Sequence, residues 1–415
     1  MSDFELVIVG GGLASARAIK SYREAGGRGR ILLVSKDSSL PYHRPPLSKR
    51  YLRGEVEAAD ALVEPEEFYA ANDVELLLET TAARVELGER FVELEDGRRQ
   101  SYGKLLIASG ATPRRLDVPG FDLDGVLTLR TLADSTKIRA ALDDGHDALV
   151  VGGGFIGMEV AASLHQLGAE VTLVHRESGL FQHLEAAELE RDLASLFADN
   201  GVALILPGEV VAFRGRSHVD SILMKSGERL TPAFVVVGVG VSPTVDFLEA
   251  SGLELANGVV VNERFETNAS GVYAVGDVAN FHDPLYGRRR IEHWSNANYQ
   301  GAEVGKILAG ARGGYDTVST FFTEIFGSTL KVFGDLAGHD ELVVRGSLAE
   351  RDLLGFYLAE GRLVATLVVG QDEATEEALK GLLRARAMPM RTAGLADPGV
   401  PLEEVFPATA GDAGG

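Results

Sequence analysis

An apolar run that stops at three glycines and leads into a helix-like stretch occurs twice in this chain. That repeat restricts the fold more than any other feature. Leu6-Val7-Ile8-Val9 ends at Gly10-Gly11-Gly12, and the stretch from Leu13 to Ala25 carries apolar residues at helical spacing. Gly26, Gly27 and Gly29 end that helix, and Ile31-Leu32-Leu33-Val34 returns as a buried strand, which predicts a βαβ unit with a right-handed crossover. The second copy begins with Ala148-Leu149-Val150-Val151 running into Gly152-Gly153-Gly154. A helix from Phe155 to about Leu167 follows, with Gly168 as its C-cap, and Val171-Thr172-Leu173-Val174 is the returning strand. Copies about 140 residues apart do not make a solenoid, whose periods are roughly 20–50 residues. They predict an α/β chain with two Rossmann-like dinucleotide-binding domains.

A glycine turn of this kind lets backbone approach a pyrophosphate, to which the helix N-terminus offers N–H groups and a positive dipole end. Gly152, Gly154 and Gly157 fill all three positions of G-x-G-x-x-G. In the other turn Gly10 and Gly12 fill the first two, and Ser15 stands at the third, where helix and strand pack closely and serine is small enough to pass. An acidic side chain at the end of the second strand usually holds the ribose. After Val34 come Ser35, Lys36 and Asp37, so the carboxylate lies one position late or Lys36 meets the cofactor in another way. After Val174 come His175, Arg176 and Glu177. The basic pair suits a 2′-phosphate and Glu177 a ribose hydroxyl, so NADH and NADPH both stay open, with a lean to NADPH.

Beyond Pro243 the pattern returns to short strands and turns, ending in Val272-Tyr273-Ala274-Val275 and Gly276-Asp277. Apolar stretches at Leu330–Phe333, Leu342–Arg345, Gly355–Leu358 and Leu363–Val369 precede a helix-like segment from Glu373 to Arg386, predicting a small α+β C-terminal domain. The expected division is a discontinuous domain over 1–112 and 244–321, a second over 113–243 and a third over 322–407, with 408–415 a disordered tail. The chain has no cysteine, which excludes disulfide frameworks, redox dithiols, thiolate zinc sites and protein-ligated iron–sulfur clusters. Redox chemistry would then come from a bound cofactor. Forty basic against 61 acidic residues, net −21, argue against nucleic-acid and anionic-membrane partners. Lacking an apolar run of membrane length or a basic leader before Asp3, the chain is expected to be cytoplasmic and soluble.

At this point the residues carry a resemblance. The two turns, then Ile107-Ala108-Ser109-Gly110-Ala111-Thr112-Pro113-Arg114, then Gly238-Val239-Gly240-Val241-Ser242-Pro243 and Tyr273-Ala274-Val275-Gly276-Asp277, resemble in order the two-dinucleotide-binding flavoproteins of the glutathione reductase type. Pro41-Tyr42-His43-Arg44-Pro45-Pro46-Leu47-Ser48-Lys49 narrows the resemblance to the FAD-dependent NAD(P)H:ferredoxin and rubredoxin reductases, of the putidaredoxin reductase type, with apoptosis-inducing-factor-like proteins as cousins. It implies that the first turn, with Gly10, Gly12, Leu13, Ala14 and Ser15, holds the FAD pyrophosphate. Lys36 or Asp37 would lie at its ribose, and Ala83 would touch the adenine side by backbone. Arg44, Pro45, Ser109, Gly110, Arg130 and Gly276 would lie along the cofactor. Lys49 would stand near the flavin N5, and Asp277 would bond the ribityl chain. Trp294, with Glu292 and His293 before it, falls on the segment passing the isoalloxazine ring. Gly152, Gly154, Phe155, Ile156, Gly157, Glu159, His175, Arg176, Gly238 and Gly240 would form the nicotinamide-nucleotide site. Lys36 departs from the family, which usually has an acidic residue there. The redox-active cysteine pair of the superfamily's disulfide reductases is absent.

Hydride transfer from nicotinamide to flavin asks the protein for orientation and electrostatics. Lys49 can favour negative charge on reduced flavin and Glu159 can bond the carboxamide, so these two, with Trp294, are the expected catalytic residues. No histidine cluster has metal-ligand spacing, His43 and His293 included, and no metal is expected. The expected partner is a small iron–sulfur carrier, a two-iron ferredoxin or a rubredoxin, feeding an oxygenase, with the chain a monomer or homodimer. Arg44, Arg288-Arg289-Arg290 and Lys331 are candidates for a basic docking patch. Phe321-Phe322-Thr323-Glu324-Ile325-Phe326-Gly327 departs from the Trp-Ser-Asp-Gln-like stretch common in ferredoxin reductases, which keeps other acceptors open. The alternatives are a soluble NAD(P)H oxidase or quinone reductase, or a redox-sensing interaction protein of the apoptosis-inducing-factor kind.

Overall fold

Both glycine repeats form the strand–turn–helix units that their spacing predicts. The structure, a computed structural model, describes residues 4–406, and the expected tail 408–415 lies outside the described residues. The chain divides into two compact units. One takes residues 4–114, 130–136 and 240–317; the other takes 115–129, 137–239 and 318–406.

In the first unit, Phe4–Val9 sits centrally in a sheet, paired in parallel with Ile31–Val34 on one side and Arg99–Ile107 on the other. Val74–Leu77 extends the sheet beyond Ile31–Val34, and Val272–Ala274 pairs in parallel with Arg99–Ile107. The central strands are buried on both faces, which is why they read as continuous apolar runs without alternation. Val9 stands in register with both Val34 and Ile107, so three strands end at the glycine turn. The helix Leu13–Glu24 packs against the helix Trp294–Leu308 at two glycines. A Cβ at Gly301 would lie 2.4 Å from the Ala14 carbonyl oxygen, and one at Gly305 the same distance from that of Ala18. Backbone therefore meets backbone along this seam.

In the second unit the sheet order is Ala203–Ile205, Glu170–Val174, Asp147–Val151, Phe234–Val237 and Val126–Leu127, all parallel. A five-stranded antiparallel sheet follows, ordered Thr320–Ile325, Ser328–Gly334, Arg362–Val369, Asp352–Ala359 and Glu341–Ser347, and then the helix Glu373–Arg384. The four predicted C-terminal apolar stretches fall in four of these strands. The fifth, Thr320–Ile325, begins two residues before the expected boundary at 322, where no turn residue marks its start. No helix among the described residues is long and apolar enough to cross a membrane.

Candidate functional site

Each glycine turn is shaped by backbone contacts that a side chain would break. Gly10 has φ +116°, and a Cβ there would stand 2.2 Å from the Ala108 carbonyl oxygen; Gly152 has φ +122° and the same 2.2 Å conflict with the Gly238 carbonyl. The third motif position differs between the turns. A Cβ at Gly157 would fall 1.8 Å from the Gly152 carbonyl oxygen, whereas Ser15, fully buried, turns its hydroxyl to donate to the Gly10 carbonyl. Serine thus closes its turn with a hydrogen bond where glycine closes the other by contact.

The second motif positions face open space, for nothing lies within 4 Å of a Cβ built at Gly12 or Gly154. These two residues cap the helices Leu13–Glu24 and Phe155–Gln166 with no side-chain hydrogen bond, and neither helix carries an acidic residue in its first turn. Such a terminus, open and uncountered by negative charge, fits a pyrophosphate.

Around the first turn, residues far apart in sequence converge. Arg130 Nη2 donates to Asp277 Oδ2 at 2.7 Å, and Arg44 donates to the Arg130 carbonyl. The Arg130 Nε is buried without a hydrogen-bond partner among the described residues, a donor that a bound cofactor would satisfy. Residues 130–136 belong to this unit because Ser135 Oγ donates to the Leu47 carbonyl (2.7 Å) and Tyr51 bonds Thr136 (2.9 Å). Lys49 closes the short turn Pro45–Ser48 and is 6% exposed, so it is no solvated surface lysine. Gly276 donates its N–H to Gln300 Oε1 (2.8 Å) and sets Asp277 in place. Ser109 Oγ donates to the Thr244 carbonyl (2.8 Å), and the motif strands Ala111–Pro113 and Val241–Pro243 pair antiparallel. Ala83 lies exposed on the strand Ala82–Glu86.

Lys36 is exposed, and the Asp37 carboxylate is engaged within the chain. Tyr42 donates to its Oδ2 at 2.7 Å and the Ser39 N–H to its Oδ1 at 3.1 Å. Burial pushes the Tyr42 phenol up to about 12, against the pull of Arg44, so it remains a donor.

Trp294 begins the helix Trp294–Leu308, and its Nε1 donates to His43 Nδ1 at 3.0 Å. That bond requires His43 neutral at Nδ1. Burial, then the charge of Arg17, hold its pKa below the ordinary value, opposed by Glu64. An imidazole so lowered takes its proton more readily when the chain is unfolded. Its contribution to stability is therefore complete above the ordinary histidine pKa and is lost as pH falls through the lowered value. Trp294 is the chain's single tryptophan. Its fluorescence is expected to titrate with a midpoint below about 6.5, and His43→Phe to abolish the transition; a midpoint at or above the ordinary value would contradict this geometry.

In the second unit, Glu159 is the fifth residue of its helix, beyond the first turn, and 4% exposed, with Thr323 Oγ1 donating to its Oε1 at 2.9 Å. Its burial and partner go beyond a simple helix-dipole role. Phe155 meets Phe181 edge-on at 4.5 Å and Phe321 at 5.1 Å, while the His175 ring lies where a Cβ on Gly153 would stand. Burial is the larger influence lowering the His175 pKa, so Arg176 is the cation of this pair near neutrality, and its Nε lies 3.2 Å from Glu177 Oε1. Sequence reasoning missed Phe181. This fully buried residue has φ +60° and donates its N–H to the Gly153 carbonyl at 2.7 Å. A left-handed phenylalanine costs about 1–3 kcal/mol, and no glycine or asparagine marks the position.

The candidate basic patch is engaged internally. Arg288 donates to the carbonyls of Val261 (3.1 Å) and Asn280 (2.8 Å), and Arg289 lies 3.7 Å from the buried Asp283. Arg290 reaches the Asp277 carbonyl (3.0 Å) and Glu292 (2.5 Å), and Lys331 pairs with Glu376 at 2.5 Å.

The comparisons agree with this geometry. Residues 4–301 match the family model described as pyridine nucleotide-disulphide oxidoreductase, and residues 320–406 match that of the reductase C-terminal domain. The chain is 33% identical to putidaredoxin reductase of Pseudomonas putida over 97% of each chain. It is 32% identical to a rubredoxin-NAD(+) reductase of the same species, over 87% of this chain and 94% of the relative. Its fold superposes on the reductase in a covalent putidaredoxin reductase–putidaredoxin complex with a TM-score of 0.92 at 32% identity, covering 98% of both chains. With the family match spanning both glycine turns, this chain belongs to the pyridine nucleotide-disulphide oxidoreductase family, whose members use FAD and NAD(P)H.

Proposed function

We propose that this chain is an FAD-dependent NAD(P)H:ferredoxin or rubredoxin oxidoreductase, which takes a hydride from NAD(P)H and delivers electrons singly to a small iron–sulfur protein feeding an oxygenase. The observation that carries this reading is the pair of open glycine turns, one in each unit, in a chain without cysteine. Without a dithiol, electrons have no protein-borne relay and must leave from the flavin itself. The two reductases that the chain resembles over most of their length are named for iron–sulfur acceptors, which supports the same acceptor class here.

Bound FAD supplies acceptance of two electrons together and their release one at a time. The chain's residues supply the rest. In this reading the turn 10–15 cradles the FAD pyrophosphate, with residues 1–112 and 244–321 as the FAD domain. Arg130 and Asp277 hold the cofactor's middle, and Lys49 offers a buried cation toward negative charge on the reduced ring. The turn 152–157 in the domain 113–243 binds the nicotinamide nucleotide, and Glu159 orients its carboxamide. Trp294 covers the ring. The domain 322–407 completes the enzyme, which acts in the cytoplasm.

We further propose a small advantage for NADPH, carried by Arg176 and limited by its ion pair with Glu177. Arg176→Ala is expected to remove that advantage while sparing turnover with NADH, read as the ratio of kcat/KM for the two nucleotides. Anaerobic stopped-flow reduction of the yellow protein by each nucleotide, followed by mixing with a two-iron ferredoxin, tests the whole reading. Rapid bleaching and rapid onward transfer are expected. Bleaching without onward transfer would overturn the acceptor and point to an oxidase or a redox-sensing interaction protein.

A further inference from the structure

Side chains 321, 323 and 325 share one face of the strand Thr320–Ile325, because alternate residues of a strand point the same way. Thr323 and Ile325 are buried, and Glu324 between them is exposed. On the helix Phe155–Gln166, residues 155 and 159 share a face, being four apart. Two residues along a strand advance about 6.7 Å and four along a helix about 6 Å, so a strand running beside a helix can meet both positions at once. The chain makes both contacts. Phe321 packs edge-on against Phe155, and Thr323 Oγ1 donates to Glu159 Oε1 at 2.9 Å.

We infer that Thr323, on the C-terminal sheet, is a positioning residue that fixes the Glu159 carboxylate and thereby sets the nicotinamide-nucleotide affinity of the second glycine turn. The inference rests on the reading of Glu159 as a nicotinamide contact. A carboxylate that is 4% exposed needs donors to offset its lost hydration. A threonine hydroxyl provides one donor and leaves further acceptor positions of the carboxylate for an amide N–H. Threonine is stiff at χ1, and Thr323 is fully buried, so its hydroxyl holds one direction. The Phe321–Phe155 contact one step along the strand keeps strand and helix in that register.

The test uses the FAD-loaded protein and calorimetric titration with NAD+ and NADP+, with thermal midpoints measured in parallel. Thr323→Val keeps the branched shape and removes the donor. It is expected to weaken nucleotide binding about tenfold or more, the usual size of a lost hydrogen bond to a charged group. Thr323→Ser should bind within about threefold of the parent. Thr323→Ala and Thr323→Ser differ by one oxygen, so their ratio reads the hydroxyl even where valine disturbs packing. In a Glu159→Ala background the same changes at 323 should have no further effect, since the group they position is gone. If Glu159→Ala weakens binding and neither Thr323→Val nor Thr323→Ala does, the positioning role is wrong. A serine variant as weak as alanine would also overturn it, since the loss would then follow packing. If Glu159→Ala binds nucleotide normally, the reading of Glu159 itself fails.

Discussion

Gly157→Ala is expected to lower NAD(P)H affinity on the order of 100-fold while leaving FAD bound. A Cβ at 157 would fall 1.8 Å from the Gly152 carbonyl oxygen, which is backbone and has no rotamer to yield. Gly152 cannot retreat cheaply, because its own Cα faces the Gly238 carbonyl and its φ of +122° suits glycine alone. The helix start must therefore move, and its N–H groups lose their aim at the phosphates. The turn lies wholly in the second unit, so flavin content should match the parent after gel filtration while reduction by NAD(P)H becomes slow. Dithionite should still bleach the variant. Normal reduction by NAD(P)H would show that this turn is not the nucleotide site. The comparable change in the other turn, Ser15→Ala, removes one hydrogen bond and no volume conflict, and its effect should be far smaller.

Asp277→Ala is expected to empty the flavin site. Asp277 lies between two demands: Arg130 pairs with it at 2.7 Å, and its charge offsets the repulsion between Arg130 and the neighbouring Arg44. Both side chains of the pair are largely shielded from water. Deleting the carboxylate leaves Arg130 without its ion-pair partner and Arg44 with only the smaller pull of Asp37, at a cost of about 2–3 kcal/mol, discounted from the fully buried case for the exposure that remains. That corresponds to about 30- to 150-fold in FAD retention if the loss falls on binding. The ratio of flavin to protein absorbance after gel filtration measures it, alongside the thermal midpoint. Asp277→Asn, which keeps an acceptor without the charge, should fall between. Full FAD content in Asp277→Ala would remove Asp277 from the cofactor site.

Much of the architecture was legible because it is local. The strands Phe4–Val9 and Asp147–Val151 are largely apolar runs that stop at glycine, and the helices that follow start at the residues predicted, Leu13 and Phe155. The excursion of residues 130–136 into the first unit was not legible, since its bonds to Leu47 and Asp277 join groups with no shared periodicity. Partners were hidden for the same reason: Asp277 needs a residue 147 positions away, Glu159 one 164 away and Trp294 one 251 away. Arg288-Arg289-Arg290 shows the same limit. Three adjacent cations suggest a surface for an acidic partner, yet the hairpin strand Gly287–Arg290 turns their donors to carbonyls and carboxylates of its own unit. Burial of charge depends on pairing across strands, which residue type does not reveal.

The glycine seam between Leu13–Glu24 and Trp294–Leu308 has a mechanical consequence. Where helices meet through long side chains, rotamer changes act as a cushion, and one helix can shift without disturbing the other. Gly301 and Gly305 take that cushion away by bringing main chain against main chain at Ala14 and Ala18. The two helices run parallel along this seam, so the tryptophan that starts one and the glycine turn that leads into the other lie at the same end and belong to one stiff unit. A push on Trp294 from outside is passed to the cofactor turn with little absorbed on the way.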